Sequence, residues 1–75
     1  MIYYTGHAKG RMLLRGISVG MVKSALVKPD KIGFGYNSKS LVFKKFPKGI
    51  IKVVFVRKKA HYLVVSVIWE LINKS

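Results

Sequence analysis

The sequence predicts an α+β fold: two N-terminal helices packed on one face of a four-stranded antiparallel meander sheet, in a single domain over residues 1–75. Three observations predict it. Apolar spacing is helical in the first third of the chain and switches to a period of two after Pro29-Asp30. The stretches between apolar runs are short, which makes sequence neighbours spatial neighbours. Hydrophobic residues are 51% of the total and spread over the whole length, so 75 residues can bury a core, with a thin margin.

Ile2-Tyr3-Tyr4 is a candidate extra edge strand. Thr5 can cap a helix over Gly6 to Arg15, because its side-chain oxygen accepts a free backbone N–H. Gly16 stands where a left-handed C-terminal residue belongs. Ser18 can cap a second helix, Val19 to Val27, with Val19, Val22 and Leu26 on one side. Lys28-Pro29-Asp30 ends it, since the residue before proline avoids helical angles. Ile32, Phe34 and Tyr36 then alternate with Gly33, Gly35 and Asn37 as a first strand, and Asn37-Ser38-Lys39 is a turn. Ser40 to Phe46 is the second strand, closed by Pro47-Lys48-Gly49. Ile50 to Arg57 is the third, Lys58-Lys59 a tight turn, and Ala60 to Trp69 the fourth. The last two are apolar on both sides apart from Lys52, the pattern of central strands buried on both faces. The sheet then has more apolar surface than two short helices cover, so a homodimer or a bound partner is expected to shield the rest.

Charge narrows the function. Fifteen Lys and Arg stand against Asp30 and Glu70, a formal net charge of +13. Such an excess carries a self-repulsion cost and points to a polyanionic partner, nucleic acid first. With no cysteine, disulfides, thiolate metal sites and cysteine nucleophiles are excluded, and a cytoplasmic location is expected. The absence of glutamine and the scarcity of asparagine fit a thermophile source. The longest uncharged apolar run, Tyr62 to Trp69, is far short of the ~20 residues of a membrane helix, so no membrane partner is expected.

His7, Arg11 and Arg15 recur every four residues, along one side of the first helix. The row reads as an anion-binding edge or as a solvated helix face. His7 is its one side chain able to exchange a proton near neutrality. It is a candidate general acid or base, or a helix-start histidine with a hydrogen-bonding role. His61 reads as an exposed strand residue. Lys9, Lys45, Lys48, Lys52, Lys58 and Lys59, together with Lys44 and Arg57, decorate the helix, the strands and their turns, with Tyr36, Phe43 and Phe46 among them. Cations interleaved with aromatics suit RNA, whose bases stack on rings; for each ring alone, core packing is the simpler account. Metal-dependent nucleases use clustered carboxylates, and this chain has two isolated ones. No cofactor motif is present. Cleavage of nucleic acid would then proceed by attack of the RNA 2′-hydroxyl on its own phosphate, with a base, an acid and cations around the developing charge.

The run His7-Ala8-Lys9-Gly10-Arg11-Met12-Leu13-Leu14-Arg15-Gly16-Ile17-Ser18 resembles the pattern H-A-x-x-R-M-x-x-R-G-I-S. That pattern opens a small prokaryotic family catalogued as a domain of unknown function, whose members look like relatives of the RelE, HigB and BrnT toxins of toxin–antitoxin pairs. The likeness continues through Pro29-Asp30, Lys44-Lys45, the strand Ile51 to Val56, and Val64 to Trp69. It implies a RelE-like α+β fold, metal-independent cleavage of messenger RNA, on or off the ribosome, and neutralisation by an acidic antitoxin. On this resemblance His7 handles a proton, Arg11 and Arg15 hold the scissile phosphate, and Lys44 or Lys45 with Arg57 complete the cationic cradle. Two alternatives remain beside the endoribonuclease: a non-catalytic nucleic-acid-binding protein of chromatin or ribosome, and an interaction module for an acidic protein.

Overall fold

The computed structural model describes residues 2–35 and 37–70. A short strand β1 (Ile2–Tyr4) leads into helices α1 (Gly6–Arg15) and α2 (Val19–Val27). The meander follows as β2 (Lys31–Phe34), β3 (Ser40–Phe46), β4 (Gly49–Lys58) and β5 (His61–Glu70). Both helices begin and end where their caps dictate. The Thr5 side chain accepts from the Ala8 N–H at 3.1 Å and the Ser18 side chain from the Met21 N–H at 3.1 Å. Gly16 takes a left-handed φ of 66°, which lets the backbone N–H of Ile17 reach the Met12 carbonyl.

The sheet differs from the expected four antiparallel strands. It has five, in the order β1-β5-β4-β3-β2, and it is mixed. β2, β3, β4 and β5 form the antiparallel meander, but β1 pairs parallel to β5, with Ile2 opposite Tyr62 and Tyr4 opposite Val64. A parallel pair needs a long crossover, and the two helices with the whole meander supply it. β2 stops at Phe34, and β4 extends to Lys58, so the last turn falls on Lys59-Ala60, where Lys59 adopts φ 42°.

α1 packs on β5 and β1, α2 on β4 and β3, all on one face. Ala8, Met12, Ile17, Val22 and Ala25 bury themselves there against Val42, Ile51, Val53, Phe55, Val64 and Val67. On α2 the buried place beside Val22 goes to Ala25, while Leu26 is half-buried and Val19 is exposed. Val64 and Val67 face the same way although three apart: a bulge pairs Val54 with Ser66 and Phe55 with Val64, leaving Val65 as the extra residue.

The expectation that β4 and β5 are buried on both faces is corrected. Along β4, buried and half-exposed residues alternate strictly from Gly49 to Val56. Among the described residues no element covers the opposite face. That face carries Leu41, Phe43, Ile50, Val54, Val56, Leu63 and Ile68, all half-buried. The continuous apolar reading therefore reflects a two-layer protein with one open sheet face.

Candidate nucleic-acid interface

Helical periodicity, with Ala8 and Met12 turned to the sheet, places His7, Arg11 and Arg15 on one flank of α1. His7 is exposed, and the two arginines are half-buried. Arg11 Nε donates to His7 Nε2 at 3.3 Å, so the two side chains meet on the exposed flank of the helix. The Arg15 carbonyl accepts from Trp69 Nε1 at 2.9 Å, which pins the end of the helix to the end of β5. Lys9 is exposed on the same helix.

The sheet cations divide by the alternation of their strands. Lys44 points to the helix side, where its Nζ donates to the Lys28 carbonyl at 2.9 Å, satisfying a free acceptor at the end of α2. Lys45 points to the open side, and its N–H donates to Asp30 Oδ2 at 2.7 Å. Arg57 sits at the far end of β4 with its guanidinium 5.8 Å from the centroid of the Tyr62 ring. Lys44 pairs with Ile51, six residues before Arg57 on the same strand; at about 3.3 Å per residue the two positions lie ~20 Å apart. The structure thus joins His7 to Arg11 and separates Lys44 from Arg57, so one cradle does not hold both.

Lys52 lies on the open face, 3.8 Å from Glu70 Oε2. Lys48 occupies the β3–β4 turn, Lys58 ends β4, and Lys59 stands in the β4–β5 turn. Beside them the His61 ring meets Tyr3 edge-on at 5.1 Å, so His61 is a half-buried aromatic partner rather than an exposed strand residue. Tyr36 lies outside the described residues. Sequence reasoning passed over Lys31, and it treated Glu70 only as an isolated acid; the register that sets Lys31 opposite Phe43 is what gives it a place. Among the described residues no three His, Asp or Glu side chains gather to hold a metal ion, and no helix is long and apolar enough to cross a membrane.

These features define a small, strongly basic α+β protein with one helix-covered and one open sheet face. The chain belongs to the family described as Domain of unknown function (DUF4258), whose model matches residues 4–69 and so takes in both helices and the meander. No curated protein and no solved structure matches it.

Proposed function

We propose that this chain binds RNA and acts as a metal-independent endoribonuclease of the toxin–antitoxin type, with the His7–Arg11 edge of α1 as its reactive centre. One observation carries the binding half. Among the described residues a single ion pair, Lys52–Glu70, forms, and the +13 excess, already net of both acids, is left to an external polyanion. The same excess is what an acidic antitoxin would neutralise.

For cleavage, a phosphate displaces His7 from Arg11. Arg11 and Arg15 then hold the non-bridging oxygens, and His7 Nε2 accepts the hydrogen of the 2′-hydroxyl. The 2′-oxygen forms its bond to phosphorus as the bond to the 5′-oxygen breaks, and the proton passes to that leaving oxygen. The product is a 2′,3′-cyclic phosphate. Lys44, held on α2, keeps helix and sheet together, and Arg57 marks the track of the strand beyond the site.

The separation of Lys44 from Arg57 favours a second reading, a non-catalytic binder that spreads its cations along an RNA. The two part in an assay on single-stranded RNA in EDTA. The enzyme reading expects cyclic-phosphate ends, with His7→Ala and Arg11→Ala each slowing cleavage by roughly a hundredfold while RNA binding persists. Binding without cleavage leaves the second reading; cleavage only after magnesium is restored rules out the proposed chemistry.

A further inference from the structure

Both carboxylates of this basic chain meet in one groove. It lies at one end of the open sheet face, measures about 590 Å³, and its lining includes Asp30, Lys31, Phe43, Lys45, Ile50 and Glu70, with Lys44 at its margin. Register builds it: Lys31 is opposite Phe43 and Phe43 opposite Lys52, while Lys45 is opposite Ile50 and Ile50 opposite Glu70. The Phe43 ring thus stands between two lysines on the uncovered side. Gly33 beside it bears no side chain; a Cβ there would lie 3.7 Å from the ring.

The two acids differ in what they have left to offer. Asp30 is committed, with Oδ2 accepting from Lys45 N–H at 2.7 Å and its own N–H donating to the Phe43 carbonyl at 2.8 Å. Among the described residues Glu70 holds only a 3.8 Å contact to Lys52, with its side chain 42% exposed, an interaction that water screens and a ligand can exchange. A carboxylate on a phosphate-binding face repels phosphate, so its use there is to accept N–H groups. Guanine is the RNA base that offers two adjacent N–H donors, N1–H and the N2 amine, matching the two oxygens of one carboxylate. Its O6 and N7 accept from lysine, and its ring stacks on an aromatic side chain. Uracil instead flanks its single N–H with two carbonyls, which a carboxylate repels.

We propose that this groove reads a guanine in single-stranded RNA: the base stacks on Phe43, Glu70 accepts from N1–H and the N2 amine, and Lys31 and Lys45 face its acceptors and the flanking phosphates. The assignment rests on the RNA-binding reading above and is independent of the cleavage chemistry at His7. The test is the affinity of the RNA pentamers UUGUU, UUAUU, UUCUU and UUUUU for the wild-type chain, Glu70→Gln and Phe43→Leu at one fixed salt concentration. The wild type is expected to prefer UUGUU over UUUUU by about tenfold. Glu70→Gln, a substitution on the open face, brings that ratio near one without weakening UUUUU. Phe43→Leu keeps an apolar side chain but weakens UUGUU by roughly tenfold through the lost stack. Equal wild-type affinity for the four pentamers, a preference for another base, or a guanine preference that survives Glu70→Gln overturns the guanine site and leaves RNA binding standing. No binding of any pentamer overturns RNA binding as well.

Discussion

Tyr4 brings a hydroxyl into the interior that finds no hydrogen-bond partner among the described residues. Burial pushes its phenol above the ordinary value of 10.0, because the charged form would lose its water. A group whose folded pKa is raised contributes fully to stability below its unfolded value, and the contribution is lost as pH climbs through the folded one. Tyr4→Phe should therefore be neutral or stabilising by up to about 1 kcal/mol at neutral pH, since it deletes an unsatisfied polar atom. Its advantage should grow above pH 10, where only the wild type must ionise a buried phenol. Urea unfolding of both proteins at neutral pH and at about pH 11 checks this; midpoints that keep a constant separation would show that the hydroxyl has found a partner. Residue-scale chemistry of this kind was partly legible. Periodicity put His7, Arg11 and Arg15 on one flank, but nothing local says that Arg11 bonds His7 rather than solvent.

Thr5 shows how one side chain joins two elements. Its Oγ1 accepts from the Ala8 N–H at 3.1 Å as the cap of α1, and donates to the carbonyl of Val65, the bulged residue of β5, at 3.3 Å. Thr5→Ala should cost about 1–2 kcal/mol, a lost cap plus a lost hydrogen bond, and Thr5→Ser should recover most of it; denaturant midpoints of the three proteins measure this, and an unshifted midpoint for Thr5→Ala would deny the side chain its double role. The cap was readable because capping is decided within four residues. The bond to Val65 was not, being sixty residues away. The same division runs through the elements. Both helices, their caps and the order of the meander follow from local spacing and turn residues. The parallel seat of β1, the bulge and the exposed second face follow from tertiary packing, which no window of sequence contains. Leu13 and Leu14, 85% and 83% exposed on α1, show the limit from the other side: apolar residues that the fold leaves out.

At the scale of the molecule, charge governs behaviour. Binding of a single-stranded RNA of about twenty nucleotides should fall by more than about tenfold between 50 and 200 mM salt, as counterions held on the RNA are released by each lysine or arginine contact. Fluorescence anisotropy across that range gives the slope, and a flat response would mean that the +13 excess is not used against phosphate. The charge excess that motivates the proposed partner was legible in composition alone; where its cations stand was not, because strand register decides that Lys44 and Arg57 part company while Lys31, Phe43 and Glu70 line one groove. The parallel pairing of Ile2–Tyr4 with Tyr62–Val64 also sets a clock. Since β5 follows β2, β3 and β4 in the chain, the β1–β5 ladder has no second strand until the whole meander has been made.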